Sequence, residues 1–239
     1  MTNTAQLALS VQLPDDEVFD SYLSNANNTV VSQLNIFVKG TEKQGSSQPN
    51  CFYLFGLTGV GKSHLLHASS AYASQLGKTS VCLSCAELLK LSVEVLDGLE
   101  QIDFICIDDI QLIAGNQVWQ QAIFDFYNRV LEHNNRLLVS GNQSVAKLGL
   151  TLPDLHSRLS WGLTEQLKPL SDAEKVMALQ FRALKRGLIL SDEAANFLIN
   201  RLSRTMSNLI TSLDILDKAS IREQRKITIP FIKDVLNIS

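Results

Sequence analysis

The chain has 239 residues, 21 Lys+Arg against 24 Asp+Glu, and a formal charge of −3. With 45% hydrophobic and 19% charged residues it is too apolar and too weakly charged for a disordered protein, and too close to neutral for a dedicated DNA-binding domain. The length holds one large domain, alone or with a small satellite, and no apolar run approaches the roughly 18 residues that a membrane span needs.

No Lys or Arg precedes Lys39. The N-terminus therefore lacks the basic stretch of a signal or transit peptide, and the chain reads as soluble and cytoplasmic. Residues 1–14 are polar with spaced Leu and Val and read as a tail. Asp15-Asp16-Glu17 leads into a helix entrance punctuated by Asn25 to Asn28, and a helix is expected over Val30 to Val38. Residues 40–49 are loop composition throughout. The apolar runs Cys51–Phe55, Ser80–Leu83, Phe104–Ile107 and Leu137–Ser140 are short and continuous, as in strands covered on both faces. A fifth strand is expected near Leu163–Leu167. Helical stretches Lys62–Leu76 and Val118–Glu132 lie between them. The expected core, residues 15–168, is therefore α/β with a five-stranded parallel sheet.

From Lys168 onward the pattern is helical only. Ser171 and Glu174 form a capping box before an amphipathic run with Val176, Leu179 and Leu184. Ser191 opens the next helix, Leu209, Leu213 and Leu216 mark another, and Pro230 suits a first helical turn. Residues 169–239 carry 11 Lys+Arg and 8 Asp+Glu, against 10 and 16 in residues 1–168. A small, mildly basic all-α lid on an acidic core is the expected architecture.

Cys82 and Cys85 have the C-x-x-C form, but a redox pair should open a helix, and here Cys82 falls in a strand. No second cysteine pair or suitably spaced histidines complete a zinc site. His64 and His67 share a helix without evident further ligands. Core cysteines and ordinary helix histidines are the expected outcome.

Gly56-Leu57-Thr58-Gly59-Val60-Gly61-Lys62-Ser63 follows a strand and opens a helix, the context that G-x-x-x-x-G-K-S requires. The glycines let backbone N–H groups wrap phosphates at a helix N-terminus. Lys62 would reach the β- and γ-phosphates, and the Ser63 hydroxyl would ligate Mg²⁺. Phe104-Ile105-Cys106-Ile107-Asp108-Asp109 supplies the partner strand, with Asp108 expected at the metal and Asp109 able to orient an attacking water. The cofactor implied is ADP or ATP with Mg²⁺.

Asp108-Asp109-Ile110-Gln111, followed by Ile113-Ala114-Gly115, resembles the D-D-I-Q of the AAA+ module of the bacterial replication initiator DnaA. Leu138-Val139-Ser140-Gly141-Asn142 is similar to that family's sensor-1 strand. Ser157-Arg158-Leu159-Ser160-Trp161-Gly162 resembles its arginine-finger segment, and Phe19-Asp20-Ser21-Tyr22 its opening stretch near the base. The resemblance covers about residues 15–239 and implies an AAA+ fold with a helical lid. It implies Asn142 as sensor 1, Arg158 as a finger acting on a neighbour's nucleotide, and His64, Phe19 and Tyr22 beside the phosphate loop in binding nucleotide. The family's sensor-2 arginine aligns with Ser207, which leaves intrinsic hydrolysis weak at most and ADP as plausible as ATP; Arg204 lies three residues earlier on the same helical face.

Gln6-Leu7-Ala8-Leu9-Ser10-Val11 looks like the peptide by which proteins dock on the sliding clamp, with Gln6, Leu7 and Leu9 as its contacts. The chain stops at Ser239, where the lid is expected to end, with no helix-turn-helix domain after it. Such a module resembles the regulatory inactivators of the DnaA family. The partners implied are DnaA, the clamp of DNA polymerase III, DNA mainly through that clamp, and further copies of the chain, with no membrane. The rival readings are a helicase-loader or clamp-loader-like ATPase, a small-molecule P-loop kinase, and a nucleotide-dependent scaffold.

Overall fold

A computed structural model describes residues 17–40, 49–202 and 205–238. The expected clamp contacts Gln6, Leu7 and Leu9, and Arg204, lie outside the described residues. Five strands form one parallel sheet: β1 Cys51–Phe55, β2 Ser80–Ser84, β3 Phe104–Asp108, β4 Arg136–Gly141 and β5 Leu163–Gln166, in the order β2-β3-β4-β1-β5. Among the described residues the core helices are α1 Asn28–Lys39, α2 Lys62–Gln75, the single turn α3 Cys85–Leu88, α4 Gln117–Glu132 and α5 Pro153–Trp161.

Continuous apolar strands follow from burial on both faces, because successive side chains point to opposite sides of the sheet. Tyr53, Ile105, Ile107, Leu137 and Val139 pack on one side with residues of α4 and α5. Phe52, Leu54, Phe104, Cys106 and Leu138 pack on the other with residues of α1 and α2. Cys82 lies on the α2 side and Cys85 on the α4 side, so the C-x-x-C pair is split by the sheet. All four cysteines are free thiols.

The acidic entrance at Asp15–Glu17 leads not into a regular helix but into two short 3₁₀ turns, Phe19–Ser21 and Asn25–Asn27. Hydrogen bonds to distant segments hold this stretch instead. Asn27, fully buried, uses both side-chain ends at Lys168: its Nδ2 donates to the Lys168 carbonyl at 2.9 Å and its Oδ1 accepts from Lys168 N at 2.8 Å. The connection out of the sheet is thus fastened to the segment that enters it.

After Lys168 come α6 Asp172–Lys185, α7 Asp192–Arg201, α8 Met206–Glu223 and α9 Ile229–Leu236. Ser171 and Glu174 form the capping box, and Glu174 Oε1 also accepts from Asn25 N at 2.7 Å. Leu179, Leu198, Leu209, Leu213, Leu216 and Phe231 fill a separate lid core. Leu184, expected inward, is instead 66% exposed. Among the described residues no helix is long and apolar enough to cross a membrane.

Candidate nucleotide site

The phosphate loop joins β1 to α2 and depends on two left-handed glycines, Gly59 at φ +82° and Gly61 at φ +95°. A Cβ on Gly61 would stand 2.6 Å from Tyr22 Cε2, so neither the conformation nor the packing admits a larger residue. Lys62 opens α2 and is buried, and its Nζ donates to the carbonyls of Gly56 at 3.2 Å and Leu57 at 3.4 Å. Its ammonium is therefore folded back over the loop that it serves.

Asp108 ends β3, and its carboxylate accepts from the Ser140 hydroxyl of β4. Ser140 Oγ in turn accepts from Asp109 N at 2.9 Å. Asp109 is left-handed at φ +58°. Gln111 spans the gap, donating to Asp109 Oδ1 at 2.9 Å and accepting from Asn142 N at 3.1 Å. Asp108, Asp109, Ser140, Gln111 and Asn142 are one hydrogen-bonded relay across the C-terminal ends of β3 and β4.

A cavity of about 410 Å³ lies between the loop and the lid, within the size range of small-ligand sites. Its lining includes residues 58–64 of the loop, Tyr22, Asp109 and Gln111 from the core, and Leu170, Ala178, Arg182, Met206, Ser207, Ile210 and Thr211 from the lid. Asp108, Asn142 and Phe19 are not among these lining residues; Phe19 packs edge-on against Tyr72 with ring centroids 5.8 Å apart. Tyr22 donates its hydroxyl to the Val60 carbonyl at 3.0 Å, and burial pushes its ionisation up.

One cluster at this cavity escaped the sequence. Glu17 accepts from His67 of α2 at 2.5 Å and from Arg182 of α6 at 3.1 Å, joining core to lid. Burial opposes the Glu17 charge, but hydrogen bonds from His67 and Arg182 and the nearby His64 outweigh it and hold the carboxyl at about 2. The bond to Glu17 raises His67 against its burial. His64 Nε2 lies 3.1 Å from both Ser21 Oγ and the Val18 carbonyl. The two histidines thus fasten the entering segment to α2. Separations of 50 and 165 residues from Glu17 to His67 and Arg182 leave no local pattern that could have shown the cluster.

Arg158 lies elsewhere. It occupies the last turn of α5, with its guanidinium over the Trp161 ring, 5.5 Å from the centroid. Among the described residues it takes part in no ion pair. Gly162 then abuts the start of β1, where an added Cβ would be 2.5 Å from the Cys51 carbonyl oxygen. The phosphate loop leaves the other end of that strand, about 13 Å away along it. Arg158 and its own subunit's loop are at opposite ends of the sheet.

The cradle suits phosphates: left-handed glycines, a lysine over the loop and a helix N-terminus converge on one cavity. Among the described residues no three His, Cys, Asp or Glu side chains converge to hold a metal ion. Of the two expected Mg²⁺ ligands, oxygen donors of the kind that Mg²⁺ takes beside phosphate oxygens, Ser63 lines the cavity and Asp108 is not among its lining residues.

Residues 13–166 match the family model for the bacterial DnaA ATPase domain, and residues 172–236 match the model for the lid domain of Hda. Among solved structures, domain III of the Thermotoga maritima replication initiation protein DnaA is similar at TM-score 0.79 and 17% identity, over 95% of this chain and 98% of that one. The AMPPCP-bound DnaA of Aquifex aeolicus is similar at TM-score 0.66 and 18% identity, over 89% and 71%. The Thermotoga maritima RuvB Holliday junction branch migration motor is similar at 0.68 and 17%, over 94% and 72%. These likenesses establish the AAA+ fold with a helical lid.

Proposed function

We propose a function from this premise: the chain belongs to the family of bacterial DnaA ATPase domains, and residues 172–236 form a lid of the Hda type. It is a cytoplasmic negative regulator of replication initiation. Brought to DNA by the sliding clamp, through Gln6, Leu7 and Leu9, it meets ATP-bound DnaA and stimulates hydrolysis of the initiator's ATP. DnaA is left in its inactive ADP form.

The chain's own site binds ADP or ATP. Backbone N–H groups of residues 56–63 receive the phosphates, Lys62 turns from the loop carbonyls to the β-phosphate, and Tyr22 closes the base side. Ser63 and Asp108 are the protein ligands for Mg²⁺, which supplies charge neutralisation on phosphate oxygens. Ser140 orients Asp108, while Gln111 ties Asp109 to the strand end at Asn142. Ser207 places an uncharged hydroxyl where the family's lid arginine belongs, so this site holds nucleotide better than it hydrolyses it.

The observation that carries the reading is Arg158. Its guanidinium has no carboxylate partner among the described residues and lies at the far end of the sheet from its own phosphate loop. A cation so placed serves a neighbour's nucleotide, stabilising charge on the transferring phosphoryl group in trans. Arg158→Ala should leave folding, nucleotide binding and clamp binding intact. It should abolish stimulated decay of initiator-bound ATP, by at most the roughly 10³–10⁵-fold that trans arginines supply in GTPases. Single-turnover decay with clamp loaded on DNA measures this, and equal rates for wild type and variant refute the reading.

A further inference from the structure

Trp161 is 75% exposed, against 4% for Trp119. An indole in water at the end of a nine-residue helix contributes little to the fold, and its placement calls for another reason. Asp154 stands four residues before Arg158, where an acid and an arginine on a helix ordinarily pair, yet the described residues show no such ion pair. The guanidinium lies over Trp161 instead, three residues later on the same face. Helix side chains lean toward the N-terminus, so the indole reaches back beneath Arg158.

The backbone on either side is held independently. Tyr127 donates its hydroxyl to the Arg158 carbonyl at 3.0 Å. Gly162 meets Cys51 so closely that no side chain fits there. With the backbone fixed at both points, the direction of the long Arg158 side chain is left to the surface on which it lies.

We infer that Trp161 is a positioning residue: its indole face holds the Arg158 guanidinium extended and away from local carboxylates, ready for a neighbouring subunit's phosphate. The inference rests on the proposed trans role of Arg158. A cation–π contact at an exposed site corresponds to about a 2- to 5-fold effect. Trp161→Leu should therefore slow the maximal rate of stimulated ATP decay by about that factor, with little change in half-saturating concentration. Trp161→Phe, which keeps a π face, should recover most of it. In an Arg158→Ala background Trp161→Leu should have no further effect on the rate.

A second readout needs no partner. The emission lost on Trp161→Phe isolates the indole, and Arg158→Ala should change that difference spectrum if the stack exists in solution. An unchanged maximal rate for Trp161→Leu, while Arg158→Ala abolishes stimulation, overturns the inference and leaves the trans role standing. An unchanged difference spectrum also overturns it. If Arg158→Ala itself has no effect on stimulated decay, the functional reading fails instead.

Discussion

Two residues at the cavity set its charge in opposite ways. Ser207 lines it from the lid with no charge to offer a γ-phosphate. Ser207→Arg should shift preference from ADP toward ATP by about 10-fold, the scale of a charge-assisted hydrogen bond of about 1.5 kcal/mol; calorimetry with both nucleotides checks it. Glu17 carries its charge under cover, with its side chain only 16% exposed. Because its folded pKa falls from 4.5 to about 2, its stabilisation is complete above pH 4.5 and lost as pH falls toward 2. His67 is raised above 6.5, so its share is complete below pH 6.5 and lost as pH rises through the raised value. The melting-temperature gap between wild type and Glu17→Gln should therefore be widest between about pH 4.5 and 6.5 and shrink on both sides. A gap independent of pH would mean that Glu17 acts through packing alone.

At the scale of elements, much of the molecule was written locally. β1, β3 and β4 each carry an apolar run, Cys51–Phe55, Phe104–Ile107 and Leu137–Val139, whose residues face one of two cores in turn, so continuous hydrophobicity located them. The phosphate loop was legible because its glycines, lysine and serine are neighbours in sequence. The fastening of lid to core was not legible, since Asn25 and Asn27 look like mere punctuation until Glu174 and Lys168 are folded against them. Glu17 misled for the same reason: an acidic helix entrance and a carboxylate aimed at a distant arginine are alike in sequence. Asn142 shows the remaining limit, because its strand-end position was readable but the bond from its backbone N–H to Gln111 was not. Asn27 gives a test at this scale. Asn27→Ala removes the bonds to both backbone groups of Lys168 and should cost about 1–3 kcal/mol for the groups left unpaired. Denaturant unfolding should register that loss, and amide exchange at Lys168 should accelerate. Unaltered exchange would show that the lid is held by Glu174 and Arg182 without this fastening.

For the whole molecule, the proposed functions fall on separate parts of the chain: clamp docking on residues 1–14, nucleotide at one end of the sheet, Arg158 at the other. Deleting residues 1–13 should abolish co-elution with the clamp and leave nucleotide affinity within about 2-fold, since every described residue of the cavity lining, from Glu17 on, is kept; the small tolerance corresponds to about 0.4 kcal/mol. Retained clamp binding would move that contact into residues 14–239. The strands, meanwhile, all run one way. A sheet with one direction has unlike ends, and a contact that joins unlike ends does not consume both members of either partner's pair. Each copy added head to tail leaves a phosphate end open on one flank and a guanidinium end open on the other. Unless its rotation closes a ring, such a contact has no stopping point of its own, and an assembly of two would be terminated by what the open ends hold. Light scattering of the chain with ADP and with ATP reads that stopping rule directly: a nucleotide that shortens the length distribution is the terminator.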